Sequence, residues 1–334
     1  MFSPAFIDRL WYGKEPLSTF LAPLGWIYFL LMSLRRIAYQ AGVFPVRRIN
    51  VPVIVVGNLT PGGNGKTPLV IWLAAWLKQH GFHPGIVSRG YGGAATHWPQ
   101  QVRPDSDPVM CGDEPVLLAQ RSGCPVAAAP DRYAAAVGLL ETAYCDIIIS
   151  DDGLQHLALA RDIEIVVIDA ERRFGNGRCL PAGPLREPAS RIKSVDLVVC
   201  NGNPRRGEFE MRLVAGDLVL LSDPSRRLDS NKLDNKSVHA VAGIGNPDRF
   251  FQMLRKLGLQ PIEHVFPDHY RFSSADIRFN DGLPVIMTEK DAVKCRDFAD
   301  ERHWYLAIDV NMSDIFEHRL SILLKELGDG QEAA

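Results

Sequence analysis

Cysteine clusters, internal repeats, a full-length apolar span and an excess of charge of either sign are all missing from this chain, and each shortage closes a class of function. A formal net charge of −2 argues against general nucleic-acid binding. Cys111, Cys124, Cys145, Cys179, Cys200 and Cys295 lie far apart, with no C-x-x-C pair and no metal-ligand spacing. They read as reduced residues of a cytosolic protein, so neither a disulfide nor zinc is expected. No repeat or low-complexity tract appears, which removes solenoids and disordered arrays. What remains is a chain of 334 residues, 46% hydrophobic and 23% charged, long enough to bury a sizeable core and to form two domains.

One stretch approaches a membrane span. Residues 17–34 (LSTFLAPLGWIYFLLMSL) hold no charge and are followed by Arg35, Arg36, Arg47 and Arg48. Crossing ~30 Å of hydrocarbon takes about 20 apolar residues, and this run includes Pro23, Gly25 and several hydroxyls. Asp8, Arg9, Lys14 and Glu15 precede it and no small-residue cleavage site follows, which disfavours a secretory signal. The expectation is an interfacial amphipathic helix, with Trp11, Tyr12, Trp26 and Tyr28 at headgroup depth and the arginines toward anionic lipid. The alternative is a helix buried on the core.

The most informative stretch comes directly after the apolar run Val51-Pro52-Val53-Ile54-Val55-Val56. Thr60-Pro61-Gly62-Gly63-Asn64-Gly65-Lys66-Thr67 reads as a phosphate-binding loop between a strand and a helix. Glycines let backbone N–H groups turn toward phosphate oxygens, Lys66 supplies a point charge, and the Thr67 hydroxyl suits Mg²⁺. Residues 68–80 have helical apolar spacing, which aims a helix N-terminus at the phosphates. Thr60 stands where G-x-x-x-x-G-K-[ST] usually has glycine, a departure that Gly62 and Gly63 offset.

Strand-like runs at 85–88, 126–129, 146–150, 163–168 and 195–200 alternate with helical candidates at 114–121 and 132–144. Continuous apolar strands separated by helices indicate a parallel sheet covered on both faces, with ligands at the C-terminal strand ends. Residues 209–221 read as a hairpin turning at Ala215-Gly216-Asp217, followed by a polar connection to 236. A second, smaller α/β unit begins at Val238, with further strands at 284–288 and 304–308. The expected class is therefore α/β: a P-loop NTPase-type parallel-sheet core (49–208), a hairpin hinge and linker (209–236), a smaller α/β domain (237–327) and an N-terminal membrane-associated helical segment (1–48).

Several segments invite chemistry and each also has a plain structural use. Asp151 and Asp152 end an apolar strand, where phosphate-loop enzymes position Mg²⁺, although Asp-Asp-Gly is also ordinary turn chemistry; His156 follows with either a site or a packing role. Asp113, before Glu114 and Pro115, suits a helix N-cap that needs no catalysis. The loop from Ser88 through Arg89 and Tyr91 suits a substrate contact or a simple turn, and Arg186 in Pro181-Ala182-Gly183-Pro184-Leu185-Arg186-Glu187 suits a phosphate. The charge-dense run 287–294 does not have the spacing of a guanine-reading N-K-x-D, so guanine is not inferred.

Together, Gly57 through Pro68, Ser88-Arg89-Gly90-Tyr91-Gly92, Gly112-Asp113-Glu114-Pro115, Asp151-Asp152-Gly153-Leu154-Gln155-His156, 181–187 and Thr288-Glu289-Lys290-Asp291-Ala292-Val293-Lys294 resemble the tetraacyldisaccharide 4′-kinase family, the lipid A biosynthesis kinases of Gram-negative bacteria. The resemblance covers nearly the whole chain, and the family's own loop, T-P-G-G-x-G-K-T, accounts for Thr60. It implies a kinase that uses ATP and Mg²⁺ to phosphorylate the 4′-hydroxyl of a tetraacylated glucosamine disaccharide 1-phosphate, giving lipid IVA on the way to lipopolysaccharide. It implies work at the cytoplasmic face of the inner membrane, peripheral or monotopic, on a lipid substrate, with no nucleic acid and no protein partner. Carried over by motif, Thr60 to Thr67 hold nucleotide, while Thr67, Glu114, Asp151 and Asp152 organise the metal. Arg89, Tyr91, Gln155, His156 and Arg186 face substrate. Asp113 and His269 form a dyad that accepts the sugar hydroxyl proton, beside Lys66, and closure of the two domains about the 209–221 hairpin completes the site. A phosphate-loop switch or metal-delivery chaperone would need guanine-reading residues or a metal cluster, and neither is in the sequence.

Overall fold

A computed structural model describes residues 4–13, 15–233 and 235–332. Its strands are β1 (Val53–Gly57), β2 (Pro84–Ser88), β3 (Gln100–Val102), β4 (Val126–Ala128), β5 (Ile147–Asp151), β6 (Ile163–Asp169), β7 (Leu197–Asn201), β8 (Phe209–Leu220), β9 (Arg227–Leu228), β10 (Ser237–Ala242), β11 (Gln260–Val265), β12 (Val285–Thr288) and β13 (His303–Met312). Its helices are α1 (Pro4–Tyr12), α2 (Leu17–Phe20), α3 (Ala22–Gln40), α4 (Lys66–Gln79), α5 (Pro108–Cys111), α6 (Asp113–Ser122), α7 (Arg132–Leu140), α8 (Pro247–Lys256), α9 (Ser274–Ile277), α10 (Glu289–Cys295) and α11 (Asp314–Glu332).

All the strands join one sheet, in the order β11-β10-β12-β13-β8-β7-β6-β1-β5-β2-β4-β3, with β9 on β8. The first block, β4-β2-β5-β1-β6-β7-β8, is parallel, and antiparallel β3 closes its edge. The second block, β11-β10-β12-β13, is parallel within itself and meets β8 antiparallel. β1, β5 and β6 are buried along their whole length, as expected of apolar strands covered on both faces. Leu69, Leu73 and Leu77 of α4 and Leu118 of α6 pack on one face, and Ala135 and Leu139 of α7 on the other.

The expected hairpin at 209–221 is instead one uninterrupted strand. Between Leu306 and Ile308, two steps along β13 are answered by three along β8, from Leu218 to Ala215. Gly216 and Asp217 therefore mark a bulge in a ladder, the other common use of a glycine inside an apolar strand. The chain does reverse, but at 221–226, where β9 folds back on β8. The hinge assigned to the 209–221 hairpin thus has no hairpin to turn on, and the sheet runs through from one block to the other.

Two more features depart from expectation. α11 crosses back to the first block, burying Phe316, Leu320 and Leu324 in the α4 core, while Trp76 Nε1 donates to Glu317 Oε2 at 3.1 Å. Its helix runs to Glu332; residues 333–334 lie outside the described residues. At the other end, α3 leaves Leu24, Trp26, Ile27, Leu30, Leu31, Leu34 and Ile37 exposed, with Phe20 just before it. No helix of the described residues is long and apolar enough to cross a membrane. Of the four aromatics expected at headgroup depth, only Trp26 faces outward, 70% exposed. Trp11 Nε1 donates to Pro181 O, Tyr12 lies under Arg172, and Tyr28 packs on the core. The arginines are likewise tied to protein: Arg35 to Gln155 O, Arg36 to Ser194, Arg47 to Asp131 and Arg48 to Asp162.

Candidate active site

The loop between β1 and α4 forms one wall of a cleft of about 490 Å³ whose other wall comes from the second block. Gly65 precedes α4 at φ 95°, a left-handed conformation suited to glycine; a side chain there would strike Met211 and Asn201. Thr60 is 4% exposed, and Asn64 Nδ2 donates to its hydroxyl at 3.1 Å and its carbonyl at 3.3 Å. Threonine in place of the usual glycine therefore anchors the loop from below. From the second block, Gly245 comes so close that an added Cβ would sit 2.9 Å from Gly62 Cα. Lys66 and Thr67 start α4 and line the cleft, where the helix N-terminus offers N–H groups and partial positive charge to an anion.

The two strand-end aspartates have opposite environments. Asp152 Oδ1 is 3.5 Å from Lys66 Nζ, and Arg186 Nη1 lies 3.1 Å from both Asp152 oxygens. Burial alone would raise the Asp152 carboxyl, but Lys66 and Arg186 outweigh it and hold it well below the usual range. Asp151 is 1% exposed; Ser88 Oγ donates to Oδ2 at 3.3 Å, and Oδ1 has no hydrogen-bond partner among the described residues. Burial, then Glu114 and Asp152, push the Asp151 carboxyl up to about 7. The buried, unmatched carboxylate oxygen at the end of β5 and the Thr67 hydroxyl at the start of α4 are hard-oxygen donors of the kind Mg²⁺ takes. Among the described residues no group of three His, Cys, Asp or Glu is gathered at metal-holding distance. The donors present fit a magnesium ion that keeps most of its shell from phosphates and water. Glu114, also expected as a ligand, has Oε1 on Lys290 Nζ at 3.0 Å.

Opposite the loop, His269 reaches across from the second block to Asp113 at the start of α6. Its Nδ1 is 3.1 Å from each Asp113 oxygen. Asp113 is 4% exposed and sits behind His269, which lines the cleft with Glu114 and Lys290. The Asp113 carboxyl would rise on burial, but the imidazole hydrogen bond and Lys290 hold it below its ordinary value. His269 would fall on burial, but Asp113 lifts it above the ordinary imidazole value. His269 occupies φ 59°, uncommon for a residue with a side chain; strain of this kind concentrates at functional sites.

Arg89 and Tyr91 line the mouth, with the Tyr91 ring 4.9 Å from His269 and the Arg89 guanidinium 5.8 Å over Tyr91. Arg186 lines the cleft as well. Gln155 and His156 do not. Gln155 Nε2 donates to Asn58 O and Glu187 Oε1, bracing the backbone under the loop. His156 accepts from Arg132 N at 3.3 Å and sits beside Asp131, and burial with Arg132 nearby lowers it to about 4. Lys290, Asp268, Asn246 and Arg249 line the cleft without having been singled out. The sequence signals for Lys290 are its place in the charge-dense run after an apolar strand and in the family motif Thr288 to Lys294.

The family model described as tetraacyldisaccharide-1-P 4′-kinase matches residues 17–325. The tetraacyldisaccharide 4′-kinase of Nitrosococcus oceani is 52% identical over 322 residues, covering 96% of this chain and 95% of its own. That of Methylobacillus flagellatus is 49% identical and covers 96% of each. Among solved structures, LpxK from Aquifex aeolicus, crystallised in complex with ATP, superposes with a TM-score of 0.78 at 30% identity, over 93% of this chain and 99% of its own.

Proposed function

The chain belongs to the tetraacyldisaccharide-1-P 4′-kinase family, and from that premise we propose how its cleft carries out the reaction. The protein is a lipid A 4′-kinase: it moves the γ-phosphate of ATP to the 4′-hydroxyl of a tetraacylated disaccharide 1-phosphate, forming lipid IVA. The phosphate loop grips the triphosphate through backbone N–H groups, Lys66 and the start of α4. Lys66 and Arg186, held over Asp152, bring positive charge to the transferring phosphoryl group. Asp151 and Thr67 would hold magnesium, which when bound would neutralise charge on the phosphate oxygens. Arg89 and Tyr91 hold the sugar at the mouth, beside His269. The Asp113–His269 pair takes the proton of the attacking hydroxyl, a role suited to a carboxylate oriented by a neighbouring imidazole.

The observation that carries this reading is the convergence of a phosphate loop and an Asp–His pair from opposite blocks on one cleft. Label transfer from [γ-³²P]ATP to the disaccharide lipid in detergent micelles tests it. Product that survives Lys66→Ala at parent rates would overturn it, and so would hydrolysis of ATP with no lipid product.

The substrate's acyl chains give the exposed face of α3 a partner. Docking that face on the cytoplasmic leaflet as a peripheral or monotopic helix lets the cleft meet a lipid without a membrane span. Replacing Trp26, Leu30 and Leu31 with serine should release the protein from liposomes while nucleotide affinity and Tm hold. Unchanged sedimentation with liposomes would remove the docking role.

A further inference from the structure

Lys290 makes three contacts, and their count fixes a proton that the heavy atoms alone leave open. Its Nζ lies 3.0 Å from Glu114 Oε1, 3.1 Å from Asp268 Oδ1 and 3.2 Å from His269 Nε2. An ammonium carries three N–H donors and no acceptor, so it supplies one donor to each neighbour. A donor pointing at Nε2 requires a lone pair there. In the neutral ring the proton then sits on Nδ1, where it faces both Asp113 oxygens at 3.1 Å.

We infer that Lys290 is a positioning residue that fixes His269 in its Nδ1–H tautomer and so keeps Asp113 an anion with a hydrogen-bond donor against it. The opposite tautomer would set the Nδ1 lone pair against a buried carboxylate and an Nε2–H against an ammonium hydrogen, two repulsive contacts for two attractive ones. The Nδ1–H facing a carboxylate is also how hydrolases hold an imidazole, although there Nε2 faces the nucleophile and here it accepts from Lys290. Burial would discharge the Lys290 ammonium, but Glu114, Asp113 and Asp268 outweigh it and keep it charged far above neutrality. Lys294 adds a second cation 3.7 Å from Asp113 Oδ2, but it makes no contact with the ring and so cannot select the tautomer.

This inference rests on the proposed proton-accepting role of the Asp113–His269 pair only for its effect on rate; the tautomer itself is read independently. Long-range ¹⁵N–¹H correlation spectra of the full-length protein, recorded in the alkaline range where the ring is neutral, distinguish the two forms. His269→Asn identifies the signal among the nine histidines. Wild type should show a protonated Nδ1 and a bare Nε2. In Lys290→Met the pattern should become mixed or reversed, and kcat should fall roughly tenfold to a hundredfold with KM for both substrates little changed. Lys290→Arg, also a donor without acceptors, should restore the tautomer and part of kcat. A wild-type ring protonated on Nε2 overturns the inference without any variant, and so does an unaltered Nδ1–H pattern in Lys290→Met. Full activity in Asp113→Asn would instead defeat the proton-accepting reading and leave the tautomer result standing.

Discussion

The two walls of the cleft solve opposite problems. In the first block, Asp151 Oδ1 and Ser150 Oγ are buried without hydrogen-bond partners among the described residues, and Lys66 of the loop rests on Asp152. From the second block, His269 and Lys290 close a ring of contacts with Asp268 and with Asp113 and Glu114 of α6. On the proposed reading, nucleotide binding falls to the first block and proton acceptance to the contact between the blocks.

The sharpest way to break that division is at Asp113, which belongs to the first block by sequence and to the second by partnership. Asp113→Asn keeps the shape but turns an acceptor toward a ring N–H into an amide. We expect kcat to fall roughly 10²–10⁴-fold with ATP affinity nearly intact, measured by single-turnover transfer and by nucleotide titration. A matching loss of ATP affinity would mean the two walls are not separable.

Asp151→Asn tests the first block, and its two effects should have opposite signs. Removing a candidate cation ligand should lower kcat about 10²–10³-fold. The empty protein should nevertheless gain stability. The folded pKa of Asp151, about 7, lies above its ordinary value of 3.8, so the folded state binds this proton more tightly than the unfolded chain. Its contribution is full below pH 3.8 and is lost as pH rises through about 7. The variant should match the parent in acid and exceed it above neutrality by on the order of 1 kcal/mol or more, read as Tm against pH. Equal pH profiles would show that Asp151 is not a strained, waiting group.

Much of the first wall was legible because its signals are local. The apolar runs of β1, β5 and β6 end in Gly-Lys-Thr and Asp-Asp, so strand, loop and ligand positions follow from one stretch of chain each. The second wall depends on contacts between residues 113 and 269, and no periodicity links those; the pairing came from family resemblance alone. β11 escaped notice because it is a largely exposed edge, without the buried run that marks the others. Gly216 misled because a bulge and a hairpin use the same residue types, and only the register with β13 separates them. Trp11, Tyr12 and Tyr28 were read as membrane-facing from their chemistry, but an amphipathic aromatic serves a protein groove equally well. Gln155 and His156 stand next to Asp151 and Asp152 in sequence, yet the chain turns at Asp152, φ 46°, and carries them beneath the loop.

What holds the walls in register is a second ionic contact at the far end of α6. Arg121 pairs with Glu289 at the start of α10 and, at 2.7 Å, with Asp309 of β13. Glu289 is 8% exposed; burial pushes its carboxyl up to about 7 even against the Arg121 guanidinium. Arg121→Ala strands that carboxyl, with an expected cost near the lower end of the ~3–5 kcal/mol for breaking a buried pair. Adding Glu289→Gln should recover most of it. Denaturant melts of the single and double variants measure the coupling, and strictly additive losses would show that the contact braces nothing.

The least of these effects lies at the outer edge of the second block and reverses the sign found at Asp151. His239 Nδ1 and His264 Nε2 are 2.9 Å apart, His239 Nε2 reaches Asp281, and Phe279 stacks on both rings. Burial and the neighbouring His239 lower the His264 pKa below 6.5, while Asp281 opposes them. The folded state therefore prefers neutral His264, and this contribution, whole above pH 6.5, drains away as pH falls. Because His264 is only half-buried, screening limits it to a few tenths of a kcal/mol. His264→Gln keeps a hydrogen-bonding partner for His239 but cannot charge, so its Tm should fall less steeply with acid while kinase activity is unchanged. At these two sites the signs are then opposite: alkali removes the Asp151 contribution and acid the His264 contribution. An acid limb as steep in His264→Gln as in the parent would place that sensitivity elsewhere and reduce the contrast to Asp151 alone.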